Sequence, residues 1–380
     1  MRLLLAAGGT GGHVFPALAL AEVAREAGHE VALLGGADGL EARLAAEADV
    51  PFVGVATGKW DRQRPDPRQA WRAVRGLGAA ASAVRRMRPD VVVGFGGFAS
   101  FPGCVAAVLT RTPLLLHEGN AFPGRVVRWF AGRAAAVALA FPEAAPRLPR
   151  AERTETVGYP VRERRLPRGE ARRRLGLPDE GPVTLVMGGS QGARALNEAA
   201  PAVFRTLPPG RRGAVLHATG PRWLDEVGDA TADLADYACE GFVDAVAAWS
   251  AVDLALVRAG VGTLSEAAYH GVPLIMSPLP TSADDHQRHN ARAVDAAGAG
   301  RAVEQDDRAG LARAWAELLD PDARERAAAR MAARSPAGAA ARLLALAEQL
   351  AGGRAEATPS SATGGAGPSG GQEPRREGER

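Results

Sequence analysis

The chain has 380 residues, of which 46% are hydrophobic and 23% are charged, and its formal net charge is +3. This length suits two domains of roughly 150 residues each, and the composition favours a globular protein in water. The longest apolar runs are shorter than the ~18 residues that a membrane span needs. Glycines interrupt the apolar N-terminus at once, so it is predicted to be a first strand and not a signal peptide. Cys104 and Cys239 are too isolated for a disulfide framework or a zinc site, and we expect a cytoplasmic protein.

The predicted elements of the first half alternate between strand and helix. Strands are predicted at 3–7, 30–34, 52–55, 91–94 and 114–117, and helices at 14–27, 40–48, 68–87, 101–109 and 123–131. This alternation predicts an α/β domain in which helices cover both faces of a parallel sheet. The loops should gather at the carboxyl ends of the strands.

A change of composition near 156–177 is typical of a domain boundary, and the same layout then repeats. Strands are predicted at 183–187, 214–219, 237–241, 254–257 and 273–277, with a helix at 193–204 and alanine-rich helix at 321–350. After Gly352 the periodicity ends, which predicts a disordered tail. The predicted units are an N-terminal domain (1–157), a C-terminal domain (158–334), a C-terminal helix that packs back on the first domain (335–351) and the tail (352–380).

The first glycine loop, Gly8 to Gly12, lies directly between the first strand and the first helix. Its glycines let a ligand approach the main chain, and the free N–H groups of the helix's first turn attract anionic oxygens. His13 follows the loop and can act as a base near neutral pH. The structural alternative is a tight turn of packing glycines with His13 as a helix-start residue. Because a similar loop, Gly188 to Gly192, opens the second half, two phosphate-bearing substrates are expected to meet across a cleft.

Two common nucleotide-binding motifs are missing. The first loop lacks the third glycine of the dinucleotide fingerprint, and the second strand ends in Leu34-Gly35-Gly36 without the acidic residue that binds a ribose. Lys59, the only lysine in the sequence, is followed by Trp60, so the P-loop is absent as well. The sequence therefore disfavours a dehydrogenase and phosphoryl transfer from ATP.

Positions 258–266 follow a predicted strand and open a helix whose N–H groups could hold a phosphate. Glu266, one turn into that helix, is well spaced to accept hydrogen bonds from both hydroxyls of a ribose. Thr263 and Glu266 also have capping-box spacing, so an ordinary helix cap is the alternative. Phe242 could hold a base, although taken alone it is more typical of a core side chain.

Together these motifs resemble the MurG family of bacterial UDP-N-acetylglucosamine transferases. The resemblance runs in order from Arg2 to about Leu350 and rests on segments 8–16, 117–120, 158–162, 188–193, 241–244 and 260–266 and on Asp285-His286-Gln287 with Asn290. It implies a GT-B fold, in which two Rossmann-like doubly wound domains face a cleft. It also implies an inverting, metal-independent transfer of N-acetylglucosamine to the muramyl C4 hydroxyl of undecaprenyl-diphospho-muramoyl-pentapeptide. This step converts lipid I to lipid II in peptidoglycan synthesis, with UDP-N-acetylglucosamine as donor and no cofactor.

The resemblance also implies roles for individual residues. His13 is the candidate general base, Asn120 lies close to the reacting centre, Glu266 binds the uridine ribose and Gln287 binds sugar hydroxyls. The other expected contacts are Thr10, Gly11 and Gly12 beside the donor sugar and the acceptor diphosphate, Arg162, Ser190 and Thr263 at the donor diphosphate, Phe242 and Val243 beside the uracil, and Gln191, Val261, Gly262, Leu264 and Ser265 in the matching loops. No role is assigned to Glu118, His286 or His289.

Three positions depart from the family pattern. Gly262 stands where a larger apolar residue is usual, Gly119 where glutamine is common, and Phe98 where tyrosine is usual. These changes affect the loops and the acceptor contacts, but no presumed acid or base.

The implied acceptor is membrane-bound, which bears on a concentration of basic residues at 59–88. Trp60, Trp71, Leu77, Arg125, Arg128 and Trp129 are expected to dock on anionic lipid headgroups at the cytoplasmic face of the membrane. A solvated basic face is the alternative. Arginine, alanine and glycine are abundant throughout, which looks like a genome-composition bias, so nucleic acid is not expected as a partner. The protein partners that the resemblance implies are cell-wall synthesis or division complexes.

Two other functions would use the same donor loops. One is a GT-B transferase that acts on another lipid or on a soluble natural product, which only an acceptor assay can distinguish. The other is a catalytically silent nucleotide-sugar-binding module. The presence of His13, Asn120, Glu266 and Gln287 argues against the silent module.

Overall fold

A computed structural model describes residues 1–57 and 67–357 of the chain. Within these residues the chain forms thirteen strands and fourteen α-helices. The strands are β1 (Arg2–Ala6), β2 (Glu30–Gly36), β3 (Phe52–Val55), β4 (Val91–Gly94), β5 (Leu114–Glu118), β6 (Ala136–Leu139), β7 (Thr154–Thr156), β8 (Val183–Met187), β9 (Ala214–Ala218), β10 (Tyr237–Glu240), β11 (Leu254–Val257), β12 (Leu274–Met276) and β13 (Gly300–Ala302). The helices are α1 (Gly11–Glu26), α2 (Leu40–Glu47), α3 (Pro67–Met87), α4 (Phe101–Leu109), α5 (Arg125–Phe130), α6 (Arg168–Arg174), α7 (Arg194–Thr206), α8 (Leu224–Thr231), α9 (Ala245–Ala251), α10 (Val261–His270), α11 (His286–Ala296), α12 (Arg308–Leu319), α13 (Pro321–Ala332) and α14 (Ala339–Ala357).

The strands form one parallel sheet in each half of the chain. The first sheet has the order β3-β2-β1-β4-β5-β6-β7 and the second has the order β10-β9-β8-β11-β12-β13. Helices cover both faces, and central strands such as β4 and β11 are therefore apolar and buried along their whole length. The strand order turns back between β1 and β4 and again between β8 and β11. These turning points are where open α/β sheets bind their ligands.

Most predicted elements agree with the structure, and the differences have physical causes. The ranges predicted for β3, β4, β8, β11 and α4 match those observed. The sequence pattern does not predict β6, β7 or β13. Strands β7 and β13 have 3 residues each, which is too few for a hydrophobic period to emerge. The first helix begins at Gly11 and not at Val14, with Thr10 at its N-cap position and no side-chain cap.

The C-terminal prediction needs two corrections. The helix predicted at 321–350 is in fact two helices, α13 and α14, separated by a segment that contains Pro336, which cannot continue a helix. The tail predicted from Gly352 is still helical there, since α14 continues to Ala357. The rest of that tail, 358–380, lies outside the described residues.

Helix α14 packs on the first sheet although it follows the second half in sequence. Leu343 and Leu346 join the buried cluster that contains Leu3 of β1, and the Arg342 guanidinium donates a hydrogen bond to the Val157 carbonyl at 2.8 Å. The chain thus crosses between the two halves twice, near 158 and near 336. The predicted domain limits, 1–157, 158–334 and 335–351, remain a prediction.

Two buried histidines are expected to make the fold sensitive to acid. Burial lowers the pKa of His117 to about 4 and that of His217 to about 3, from the ordinary value of 6.5. Below pH 6.5 the unfolded chain gains protons that the folded chain excludes until its own pKa is reached. The free energy of unfolding should therefore decrease as the pH decreases across this window, by up to about 1.4 kcal/mol per pH unit for each histidine.

Urea unfolding between about pH 7 and about pH 5 measures this slope. His217 bonds the Tyr237 hydroxyl at 2.9 Å and Asn197 at 3.1 Å, so His217→Gln keeps a polar side chain there but removes the titrating group. We expect a shallower slope for this variant. An unchanged slope would contradict the assignment.

Candidate active site between the two sheets

The first glycine loop joins β1 to α1. It has features of both predicted alternatives, a tight turn of packing glycines and a helix N-terminus that can bind an anion. Gly8 and Gly9 have φ angles of 153° and 89°, and Gly9 donates its N–H to the Glu41 carboxylate at 3.3 Å. Gly8 packs against Glu41 and Ala99, whereas Gly9 is exposed and is held only by this hydrogen bond. Gly11 and Gly12 begin α1, which has no capping side chain. Their N–H groups remain available to an anionic ligand.

His13 lies in the first turn of α1 and packs against the turn that follows β4. Its Nδ1 lies 3.0 Å from the Thr10 hydroxyl. Gly97 has a φ of 69°, and a Cβ at this position would lie 2.7 Å from Nδ1, so only glycine leaves room for the ring. Burial, followed by the proximity of His286 from the second half, lowers the pKa of His13 to about 4. The imidazole is therefore neutral at neutral pH, which is the form that a general base needs.

The loop after β5 is held by Glu118, a residue without a predicted role. Its buried carboxylate accepts hydrogen bonds from the Asn120 N–H at 2.8 Å and from the Asn120 side chain at 3.1 Å. Asn120 in turn accepts a hydrogen bond from Asn290 of α11 at 3.1 Å. Asn290 also bonds the Ala121 N–H at 2.9 Å and the Ala259 carbonyl at 3.2 Å. Asn120 is thus fixed between the two halves, directly beside the segment that leads into α10.

Tyr159 joins the first glycine loop to the N-terminus of α10. Its hydroxyl donates to the Gly12 carbonyl at 3.0 Å, and a Cβ on Gly262 would lie 3.9 Å from that hydroxyl. A Cβ on Gly12 would lie 3.9 Å from Val261. The N-termini of α1 and α10, which the sequence places in different halves, are therefore neighbours.

Helix α10 begins with Gly260 at its N-cap position and no capping side chain. The helix-cap interpretation of Thr263 and Glu266 is wrong, because Glu266 accepts a hydrogen bond from the Trp249 indole at 3.0 Å instead. Burial raises the pKa of Glu266, whereas the Trp249 N–H and the charge of Arg162 lower it. Free N–H groups followed one turn later by a held carboxylate suit a phosphate and a ribose.

Two predicted contacts in α10 face away from this surface. The side chains of Leu264 and Ser265 are buried and line a cavity of ≈ 360 Å³ beside the two chain crossings. Any contact that these residues make with a donor would use their backbone.

The second glycine loop leaves its polar side chains exposed. Gly192 has a φ of 71°, and a Cβ there would lie 1.8 Å from the Thr219 carbonyl, so this glycine is required by packing. Gly189 faces open space, and Ser190 and Gln191 are exposed on the loop. The three exposed residues are accessible to a diphosphate.

The side chains predicted to hold the base and the sugar differ in their exposure. Phe242 is 73% exposed, so its interpretation as a core residue is wrong, while the neighbouring Val243 is buried. Gln287 accepts a hydrogen bond from the Leu279 N–H at 2.9 Å through Oε1. This bond orients the Gln287 side chain and leaves its NH₂ group as the donor for a sugar hydroxyl.

Further contacts hold the start of α11 against α5. Arg125 donates to the Asp284 carboxylate at 3.0 Å, and the Phe122 ring stacks on His289 with centroids 4.7 Å apart. Asp284 has a φ of 50°, a conformation that costs energy for a residue other than glycine. These contacts place Gln287 at the boundary between the halves.

Sequence reasoning assigned no role to Tyr159, Trp249 or Asn290. Asn290 lies three positions after Gln287 and therefore on the same helical face, which could have linked them. Tyr159 stands in the linker motif, where an aromatic residue next to glycine and proline indicates a packed junction. The pairing of Trp249 with Glu266 is a tertiary contact without a local signal.

Among residues 1–57 and 67–357, no group of three or more His, Cys, Asp or Glu side chains is arranged to hold a metal ion. Across the same part of the chain, every helix is too short or too polar to cross a lipid bilayer. The predicted docking residue Trp60 lies outside the described residues, and the side chain of Trp71 does as well.

Comparison with known proteins matches both halves of the chain. Models for the glycosyltransferase family 28 N-terminal domain and C-terminal domain match residues 3–139 and 183–344. A Deinococcus deserti protein, named UDP-N-acetylglucosamine--N-acetylmuramyl-(pentapeptide) pyrophosphoryl-undecaprenol N-acetylglucosamine transferase, is 47% identical over 377 residues, which cover 91% of this chain and 98% of that protein. A Thermus thermophilus protein of the same name is 46% identical and covers 91% of this chain and 99% of its own length.

Solved structures agree with this match. The crystal structure of Acinetobacter baumannii MurG superposes with a TM-score of 0.77 at 28% identity and covers 92% of this chain and 99% of that one. The glycosyltransferase of kitacinnamycin superposes with a TM-score of 0.67 at 18% identity, a likeness of fold alone. The two sheets with their interleaved helices form the GT-B fold, which confirms the predicted architecture. The chain belongs to glycosyltransferase family 28 and, within it, to the MurG family.

Proposed function

We propose that this protein is an inverting, UDP-N-acetylglucosamine-dependent hexosyltransferase of peptidoglycan synthesis. It transfers N-acetylglucosamine from UDP-N-acetylglucosamine to the muramyl C4 hydroxyl of lipid I and yields lipid II. The observation that carries the proposal is the contact between the N-termini of α1 and α10, with Val261 3.9 Å from the Cβ position of Gly12. This contact supports a single site that contains both the candidate base and the candidate nucleotide clamp. Relatives that are 46–47% identical over nearly their whole length carry the name of this activity.

The second half holds the donor in this proposal. Glu266 accepts hydrogen bonds from the ribose hydroxyls, while Phe242 and Val243 flank the uracil. Ser190 and Arg162 face the diphosphate, together with the N–H groups of Gly262 and Thr263 at the start of α10. Gln287 donates to sugar hydroxyls. Gln191 and Val261 complete the walls of the site.

The first half holds the acceptor and removes its proton. The C4 hydroxyl oxygen attacks C1 of N-acetylglucosamine from the face opposite UDP, a bond forms between these atoms, and the bond from C1 to the UDP oxygen breaks. In the tautomer whose Nδ1–H donates to the Thr10 hydroxyl, 3.0 Å away, Nε2 of His13 carries the lone pair that accepts the hydroxyl proton. Thr10, Gly11 and Gly12 border the sugar and the acceptor diphosphate, and Asn120 lies beside the reacting atoms.

Positive charge on the protein stabilises the departing UDP. The Arg162 guanidinium and the helix dipole of α10 both face the developing negative charge. We assign no metal cofactor to this step.

The test is transfer of radiolabel from UDP-N-acetylglucosamine to a lipid I analogue, with UDP-glucose and UDP-N-acetylgalactosamine as competitors. Labelled lipid II, little reduced by the competitors, is the expected product. Label on another lipid or on a soluble acceptor, but not on lipid I, would favour the alternative GT-B activity. Donor binding without transfer to any acceptor would leave a nucleotide-sugar-binding module.

The proposed acceptor is membrane-bound, so we place the protein at the cytoplasmic face of the membrane as a peripheral protein. Large exposed apolar side chains lie on neighbouring elements of the first half: Leu109 is 65% exposed on α4 and Trp129 is 57% exposed on α5. The Trp129 ring contacts Phe101 at the start of α4, with centroids 5.9 Å apart. We define Leu109, Trp129 and the half-buried Leu77 as the apolar patch.

The basic residues near the ends of α3 and α5 divide into two groups. Arg125 and Arg128 both pair with Asp284, at 3.0 and 3.5 Å, so part of their charge is already neutralised. Arg85, Arg86 and Arg88 are exposed at the end of α3, which packs against α4. We therefore assign the headgroup contacts mainly to these three arginines.

Sedimentation with lipid vesicles tests this surface. Arg85→Glu should weaken binding to anionic vesicles by about tenfold, because each basic residue near such a surface contributes about 1 kcal/mol and the substitution adds repulsion. Arg211→Glu, an exposed position of the second half, is the matched control and should bind like the unmodified protein. Equal, negligible binding of the unmodified protein to anionic and neutral vesicles would defeat the proposal.

A further inference from the structure

The carboxylate of Glu41 is buried beneath the first glycine loop and enclosed by glycines. The residue is 2% exposed. A Cβ on Gly8 would lie 2.2 Å from its Oε1, one on Gly35 would lie 2.6 Å from its Cγ, and one on Gly39 would lie 2.4 Å from its Cδ. A Cβ on Gly36 would lie 3.0 Å from Oε1. Glycines from three segments of the chain thus leave a space that this one side chain fills.

Two backbone groups bond the carboxylate. Oε1 accepts the Gly36 N–H at 2.8 Å and Oε2 accepts the Gly9 N–H at 3.3 Å. No cation forms an ion pair with Glu41 among the residues that the structure describes. Burial of a carboxylate without a cation is unfavourable, and an apolar side chain of the same volume would avoid this penalty. Packing alone therefore does not account for a glutamate here.

The carboxylate acts on the turn that faces His13. The Gly8 carbonyl oxygen and the His13 Nδ1 both lie next to Gly97. A Cβ on Gly97 would lie 2.5 Å from the carbonyl oxygen and 2.7 Å from Nδ1. By binding the next N–H, that of Gly9, Glu41 fixes the position of this carbonyl. The Gly9 N–H is then occupied and is not a donor for a substrate.

Two titratable groups from different elements influence the charge of His13. His286 on α11 opposes the protonated imidazole and Glu41 on α2 favours it, while His13 itself lowers the pKa of the neighbouring His117 on β5. Glu41 is thus the anion of this set. Its charge opposes the effect of burial, which makes the imidazole a poor proton acceptor.

We propose that Glu41 is a positioning residue of the transfer reaction. It fixes the turn from Gly8 to Thr10 against His13 and stabilises the imidazolium that forms when His13 takes the acceptor proton. This inference rests on the proposed function, in which His13 is the base. Glu41 contacts no reacting atom and acts through the loop and through its charge.

Glu41→Gln tests the charge with little change of shape. We expect kcat to fall by at least about tenfold, a part of the ~10²–10⁴-fold that a general base contributes. The dissociation constant for UDP should stay within about twofold, because the donor site lies in the other half. Glu47→Gln, at an exposed position of the same helix, is the matched control and should retain full activity.

The pH profile of kcat separates positioning from a structural role. Removal of the carboxylate lowers the pKa of His13 further, so the acidic limb should move to lower pH in Glu41→Gln. Glu41→Asp keeps the charge and should keep the limb close to its original position. A limb that stays in place in Glu41→Gln, with an unchanged kcat, would overturn the inference.

Gly39→Ala tests the same carboxylate from outside the loop. The backbone at Gly39 is ordinary, with a φ of −92°, and the nearest atoms to an added Cβ all belong to Glu41. The methyl group should displace the carboxylate and reproduce the loss of kcat, and the double variant with Glu41→Gln should lose no more than either alone. Gly210→Ala, where a Cβ meets nothing within 4 Å, is the control.

The outcomes are distinguishable. Absence of transfer by the unmodified protein refutes the proposed function, whereas normal kcat in the Glu41→Gln and Gly39→Ala variants of an active protein refutes only the role of Glu41. Additive losses would also refute it. If Glu41→Gln fails to fold, Gly39→Ala and Glu41→Asp decide the question.

Discussion

His13→Ala is expected to lower kcat for transfer by about 10²–10⁴-fold near neutral pH, the range that a positioned general base contributes. The ring packs against Gly97 in the first half, so its loss should leave the donor site unchanged, and UDP should bind with the same dissociation constant. Because burial lowers the pKa of His13 to about 4, the unmodified protein should keep a constant kcat from neutral pH to about pH 5. Below that its rate should decline as the imidazole is protonated, and the alanine variant should lack this decline.

The control for this experiment is His29→Ala. His29 lies between the N-terminus and Glu348 of α14, away from both glycine loops, and its loss should not affect turnover. Near-normal turnover of His13→Ala with intact UDP binding would remove His13 from the role of base. His13 would then be the helix-start residue that the sequence also allows.

Glu266→Ala is expected to weaken UDP binding by about 10- to 100-fold, because hydrogen bonds to a charged group contribute about 1.5–3 kcal/mol each. The Trp249 indole holds this carboxylate at 3.0 Å, so it is oriented before the donor arrives. The sharper test compares UDP with an analogue that lacks both ribose hydroxyls. The unmodified protein should prefer UDP strongly, and Glu266→Ala should bind both ligands alike.

Two further variants serve as comparisons for Glu266→Ala, one with an intermediate effect and one as a control. Trp249→Phe keeps the aromatic ring but removes the N–H, so we expect a smaller loss of UDP affinity than in Glu266→Ala. Glu180→Ala, at an exposed position, should bind UDP normally. If Glu266→Ala still prefers UDP over the analogue as strongly as the unmodified protein, the carboxylate does not bind the ribose.

The fold could be predicted from the sequence because its signals are local. Alternation of buried strands with helices, each unit ending in a glycine turn, indicates two doubly wound halves. Strands such as β7, with 3 exposed or half-buried residues, have no such signal and are specified by the neighbouring strand. The break between α13 and α14 could have been placed at Pro336, which stands inside an otherwise helical composition.

The site was predictable only as far as its parts are contiguous in the chain. The glycine loops and Glu266 stand in recognisable motifs, whereas the groups that hold them come from distant segments. Glu41 reaches Gly9 across 32 positions and Asn290 reaches Ala121 across 169 positions. Burial, which sets the pKa of His13, is likewise a property of the assembled halves. Neither can be deduced from spacing.

The packing of α14 on the first sheet has a consequence for the order in which the chain can acquire its structure. Leu343 and Leu346 complete the core around Leu3, so the first half stays unfinished until α14 (Ala339–Ala357) has left the ribosome. The second sheet, closed by residues 183–302, can assemble earlier. During synthesis the apolar surface around β1 and α1 is therefore open to the cell for as long as the second half is being made. A nascent chain that stalls before α14 would present that surface to chaperones and proteases.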